Sequence, residues 1–153
     1  MRIHFNHSEL AYAPAEVLHA VITDYEHYPT FNSAVRSVDV ACRDETGAVF
    51  SAGRKTRVEK NTSAHDTYTH VDADFVIDRT YGAKTDARST WTIHPVDDSE
   101  SILTIDASMT MPWWKGLVMK PLLRRVFYGI NFMPFITEAE RRVRPSTDWP
   151  RVA

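Results

Sequence analysis

From Val35 to Met111 apolar residues recur at every second position, and this long alternating stretch runs into a segment, Met111 to Arg144, that is dense in tryptophan, leucine, phenylalanine and methionine. A period of two marks half-buried strands, and a period of about 3.6 marks an amphipathic helix. Many strands followed by one greasy helix satisfy both patterns when the apolar face of the sheet closes on that helix. The last strand shows the pattern best. Leu103, Ile105, Ala107, Met109 and Met111 share one face, and Thr104, Asp106, Ser108 and Thr110 the other, so one face is covered and one is wet.

The rest of the chain is punctuated accordingly. Residues 2–12 alternate up to Pro14, where Pro-Ala-Glu opens a helical segment carrying Val17, Leu18, Val21 and Ile22; proline suits a first helical turn. A short second helix or turn follows over 24–33, with a kink expected at Pro29 because proline disfavours helical geometry at Tyr28. Strands are predicted near 35–43, 48–60, 64–72, 74–81, 84–94 and 101–111, separated by turns such as Asp44-Glu45-Thr46-Gly47 and Asn61-Thr62-Ser63. Short loops make the neighbours antiparallel. The final helix is predicted from Pro121, with Leu122, Val126, Ile130 and Met133 as its covering stripe, Leu123 and Phe127 widening it, and a bend at Pro134. The expected fold class is α+β: a curved antiparallel sheet of about seven strands around a long C-terminal helix, with two short helices after strand 1. Residues 1–144 form one domain and 145–153 a loose tail.

Composition removes several function classes. With 153 residues, 43% of them hydrophobic and 25% charged, the chain supports one core of a globular domain. Eighteen basic residues against 20 acidic ones give a formal charge of −2, so no broad field selects DNA. Lone Cys42 forms no internal disulfide, and the start, Met-Arg-Ile-His-Phe-Asn-His, is unlike a secretory signal. A cytoplasmic location is the expectation. Lys115, Lys120, Arg124 and Arg125 divide the greasy C-terminal region, so no transmembrane segment is predicted. Trp113 and Trp114 beside those lysines suit a membrane-surface contact, a pocket portal or packing of the helix start.

Chemistry-bearing motifs are scarce. His4 and His7 have opposite strand parity, as do His65 and His70, so no metal site is expected. Asp72, Asp74 and Asp78 share a solvent-facing parity. There is no nucleophile elbow and no phosphate loop among five glycines, and no cofactor is expected.

Ala13-Pro14-Ala15-Glu16-Val17 followed by Thr23-Asp24-Tyr25-Glu26-His27-Tyr28-Pro29-Thr30-Phe31 resembles the opening of the helix-grip proteins of the START/SRPBCC superfamily. Polyketide cyclase/dehydrase-like, coenzyme Q-binding-like and ribosome-association toxin-like members share it. The likeness of layout spans nearly the whole chain. It implies a hydrophobic ligand held between sheet and C-terminal helix, and a family in which only some members are enzymes. Fold alone does not choose among them.

Face parity nominates the residues that would meet such a ligand. Phe75, Ile77, Trp91, Leu103, Ile105 and Met109 point inward from the sheet, and Leu123, Phe127, Ile130 and Met133 face them from the helix. Arg79 and Glu9 are charged members of the inward set, and a buried charge must be paired, solvated or neutralised. Glu9 with Arg79 or Arg54, through His7, would make a polar spot, or a simple ion pair at the rim. The leading expectation is binding of a lipid, an isoprenoid-like or an aromatic polyketide-like compound. The alternative is a polyketide cyclase or aromatase, with Glu9 or His7 as base and Arg79 or Arg54 stabilising enolate charge. A third is a ribosome- or protein-interaction module using Arg124, Arg125, Arg141, Arg142 and Arg144.

Overall fold

The structure, a computed structural model, describes residues 2–54, 61–82 and 86–144. The expected tail, 145–153, lies outside them, as do the side chains of Arg54 and Leu123. Seven strands form one antiparallel sheet: β1 (Arg2–Ala11), β2 (Val35–Asp44), β3 (Gly47–Arg54), β4 (Asn61–Val71), β5 (Asp74–Tyr81), β6 (Ala87–Pro95) and β7 (Ser101–Thr110). Their order is β1-β7-β6-β5-β4-β3-β2. The chain therefore crosses from one edge to the other after β1 and meanders back. Register shifts between Val35 and Ser37 and between Val40 and Cys42 bend the β2 edge. At Gly47 a Cβ would stand 2.0 Å from the carbonyl oxygen of Asp66, so glycine is what lets β3 lie against β4 there.

The crossing segment holds α1 (Ala15–Ile22), a 3₁₀ turn over Tyr25–His27 and α2 (Tyr28–Phe31). Leu18, Val21 and Ile22 of α1 are wholly buried. Tyr28 is helical, with φ −51° and ψ −44°, so the kink expected at Pro29 falls one step earlier, where the 3₁₀ turn hands over to α2. Pro29 sits in the first turn of α2, where its missing N–H removes no helical bond.

The C-terminal segment departs further from expectation. One helix, α3, runs from Trp113 to Asn131 and a second, α4, from Met133 to Val143, with the break at Phe132. Pro121 lies inside α3 rather than at its start. The bond it forgoes is to the carbonyl of Leu117, on an exposed stretch where solvent can replace it. Pro134 has no N–H to offer the Ile130 carbonyl; instead the Asn32 side chain donates to that oxygen at 3.0 Å. A buried asparagine thus fills the vacancy the proline makes.

The break changes which residues grip the sheet. Phe132, Phe135, Ile136 and Ala139 are buried. Leu122, Val126 and Met133 are exposed, Met133 by 45%. The covering stripe therefore does not include Met133, nor Leu122 and Val126, which already face outward within α3 before the step at Phe132; the Tyr128 hydroxyl donates to the Met133 sulfur at 3.2 Å.

Arginines anchor α4 to the loop after α1. Arg141 and Arg142 donate to Glu138 at 2.7 and 2.9 Å, and Arg142 also donates to Asp24 at 2.7 Å. Hydrogen bonds from Arg141, with those from Arg142, bring the Glu138 carboxyl down to about 2 from its ordinary 4.5. Because the folded value is depressed, the stabilisation is complete above pH 4.5 and is lost as pH falls toward 2. Urea midpoints across that window should fall with acid, and fall less in Glu138→Gln. An identical acid limb in the variant would count against the assignment.

Candidate functional site between the sheet and the C-terminal helices

The concave face of the sheet has two unlike ends. At one end large side chains fill it: Trp91, Ile93, Leu103 and Ile105 are 0% exposed beneath α1 and α4. Toward the other end the inward positions shrink to Ala52, Ala64, Ala87, Ser89 and Ala107. Several inward residues there, including Ala52, Tyr81 and Met109, are only half-buried. Helix α3 closes on β1 and on α4 rather than on the middle strands. Its inner face, Phe127 and Ile130, is likewise half-buried, so small residues below and a helix held off above leave this end loosely filled.

Between the two ends lies a buried polar node. Arg79, on β5, stands directly opposite Asp66 on β4. Its Nε and Nη2 donate to the two carboxylate oxygens at 2.7 and 2.9 Å, and Nη2 also donates to the Tyr28 hydroxyl at 3.1 Å. The Tyr28 hydroxyl in turn donates to the carbonyl of Ile22. Tyr25 donates to Asp66 at 2.6 Å; having spent its one hydrogen there, it accepts from Tyr68 at 2.5 Å. The guanidinium lies 4.8 Å from the Trp91 ring centroid and 5.2 Å from that of Phe50. Burial opposes its charge, but the Asp66 carboxylate together with the Tyr28 and Tyr81 hydroxyls outweighs burial and holds Arg79 above its usual range. Burial, reinforced by Asp66, pushes the Tyr25 hydroxyl well up, and burial does the same to Tyr28. These phenols stay protonated and donate.

Two hollows flank the junction of α3 and α4. An inner cavity of about 50 Å³ is lined by Tyr28, Asn32, Val35, Phe50, Ala52, Thr62, Ala64, Arg79, Tyr81, Ile130, Asn131 and Phe135, among others. A cleft of about 590 Å³ runs along the β1 edge between Phe5, Asn6 and His7 on one side and Pro121, Arg124, Arg125, Phe127, Tyr128 and Phe132 on the other. Phe5 and Phe127 stack at 5.2 Å across it.

The charged residues singled out from sequence separate. Arg79 is buried and pairs with Asp66, not with Glu9. Glu9 pairs instead with His7, Nε2 to Oε1 at 2.7 Å, at the rim of the larger cleft. Phe75 packs under His19 and His70, with ring centroids 4.8 Å away in each case. Ile77, Trp91, Leu103 and Ile105 belong to the fully buried core. Phe127 lines the cleft and Ile130 the inner cavity. The arginine row breaks up, since Arg141 and Arg142 are bound to Glu138. Sequence reasoning missed Asp66, although its parity with Ala64 and Tyr68 and its place opposite Arg79 mark it as inward. Among the described residues no group of histidine, cysteine, aspartate and glutamate side chains is arranged to hold a metal ion. No helix among them is long and apolar enough to cross a membrane.

The profile of the family described as polyketide cyclase / dehydrase and lipid transport matches residues 2–131. The chain belongs to this family. Among solved structures it is similar to an aromatase/cyclase from a Streptomyces species, with a TM-score of 0.77 at 14% identity, covering 96% of this chain and 99% of that one. A STAR-related lipid transfer protein from Xanthomonas axonopodis gives 0.73 at 13%, covering 89% and 85%. Norcoclaurine synthase from Thalictrum flavum, solved with dopamine and hydroxybenzaldehyde, gives 0.65 at 9%, covering 95% and 90%. At such identities the likeness is one of fold, the helix-grip architecture, and together with the family match it agrees with the START/SRPBCC superfamily. No curated protein matches in sequence. In this member of the family, the Tyr25 to Phe31 segment ties the crossing helices to the sheet through the Asp66 and Arg79 pair.

Proposed function

We propose that this protein binds a hydrophobic small molecule beneath α3, with the apolar body toward the open end of the sheet and an oxygen function directed to the polar node. The observation that carries the reading is the graded concave face: large, fully buried side chains at one end, and small or half-buried ones under a helix that stands away at the other. Apolar area left available in this way drives binding at about 25 cal/mol per Å². The inner cavity, at about 50 Å³, has room for a few waters. It is read as the inner end of the site, where Tyr28, Asn32, Arg79 and Asn131 supply the few polar groups that orient a ligand. Family membership and the lipid-transfer neighbour support the ligand class: a lipid, an isoprenoid-like or an aromatic polyketide-like compound.

Ile130→Trp, which places an indole in the inner cavity, is expected to abolish the rise in melting temperature that a fatty alcohol or a flat aromatic ketone gives the wild type. An equal rise in both proteins would move the site elsewhere.

A second reading, cyclisation of a bound poly-β-ketone, is favoured by one observation. His7 is held by Glu9 at 2.7 Å on the wall of the larger cleft, an arrangement in which a carboxylate orients an imidazole base. Arg79 takes no part in this reading, because it lines the inner cavity and not this cleft. Turnover of a model polyketide that disappears in His7→Ala, with melting unchanged, would favour the enzyme; turnover surviving the loss of both His7 and Glu9 would remove them from it.

A further inference from the structure

Helix α3 is apolar on the side it turns away from the protein. Trp113, Trp114, Leu117, Val118, Leu122 and Val126 are all exposed, from 44% at Val126 to 78% at Val118. They fall on one broad face, at successive turns, while Gly116, Phe127 and Ile130 occupy the side toward the protein. Six large apolar side chains along one helix exceed the scattered surface hydrophobics of an ordinary domain.

Charge identifies what covers them. From Ala107 to Thr137 the sequence has no aspartate or glutamate, yet α3 carries Lys115, Lys120, Arg124 and Arg125, in a chain whose formal charge is −2. Lys115 sits over the Trp114 ring at 5.3 Å. A second copy of the chain on this face would set four cations against four. Nucleic acid would meet the cations but leave the apolar stripe uncovered. An anionic lipid surface satisfies both, taking the apolar stripe into the boundary of the acyl chains and the cations among its headgroups. Tryptophan at the helix start suits that interface.

We propose that α3 docks this protein, lying in the plane of the interface, onto a membrane surface rich in anionic lipid. The inference is independent of which molecule the inner site takes. The test is flotation with vesicles of phosphatidylcholine, alone or mixed with phosphatidylglycerol. Recovery is expected with the mixed vesicles only, with a blue shift of tryptophan emission and release by salt. Leu117→Glu with Val118→Glu, at side chains that touch solvent, should weaken recovery by at least about tenfold with the melting temperature unchanged. Lys115→Gln with Lys120→Gln should weaken it by about fivefold for each charge neutralised. Flotation with neither vesicle, equal flotation with both, or equal flotation of the Leu117 and Val118 variant would overturn the proposal. So would a dimer, seen by light scattering, that this variant splits into monomers.

Discussion

Asp66→Ala is expected to destabilise the protein by about 3–5 kcal/mol, read as a drop in the urea midpoint, because it strands the Arg79 guanidinium without a counter-charge in the core. Arg79 and Asp66 have side chains 5% and 0% exposed, so solvent does not take over the lost bonds. The Tyr25 hydroxyl loses its acceptor at the same stroke. Domains of this size are stable by about 5–15 kcal/mol, so the single change removes a large part of the total. Arg79→Met alone should be costly for the mirror-image reason. The double variant Asp66→Leu with Arg79→Met removes both charges and fills similar space; it should lie closer to the wild type than either single change. Additive losses would mean that the two groups are not coupled as the geometry requires.

Phe135→Ala should cost a similar amount, about 3–5 kcal/mol, through packing. Phe135 is 2% exposed, with ring centroids 5.0 Å from Tyr28, 5.6 Å from Phe31 and 5.3 Å from Trp91. One ring thus joins α4 to α2 and to the middle of the sheet. It also lines the inner cavity, so its removal enlarges an existing hollow. Benzene or indole is expected to restore part of the lost melting temperature by occupying the space. A loss under about 1 kcal/mol would show that α4 does not grip the sheet through this residue.

Much of this architecture was legible because strand parity is a local property. The alternation in Leu103, Ile105 and Ala107 gave their burial, and the same count pointed Arg79 inward. The partner of Arg79 was harder, because it depends on register between strands. Counting back from the tight turn between Val71 and Asp74 pairs Asp66 with Arg79; Glu9 shares the inward parity, but it lies on β1, an edge strand remote from β5 in the sheet. Helix periodicity had a different blind spot. It identified the apolar stripe containing Leu122, Val126 and Met133, but spacing does not say which side meets the sheet when a helix carries apolar residues on more than one face. Pro134 announced a break without locating it, since the position at Phe132 depends on Asn32, a residue distant in sequence, supplying the missing donor. The candidate site was less legible than the core, because parity gives which residues face inward but not which end of the face is filled. Ile77, Trp91, Leu103 and Ile105, nominated for a ligand, therefore fall in the packed core, while small inward residues, Ala52, Ala64, Ser89 and Ala107, lie at the other end.

Titration calorimetry with a flat aromatic ketone, repeated at several temperatures, tests the central claim most directly. The account predicts saturable binding with a negative heat-capacity change, as apolar burial requires, and its loss in Ile130→Trp while that variant remains folded. Absence of saturable heat in the wild type across lipid, isoprenoid and aromatic probes, or undiminished binding in Ile130→Trp, would contradict a ligand site beneath α3.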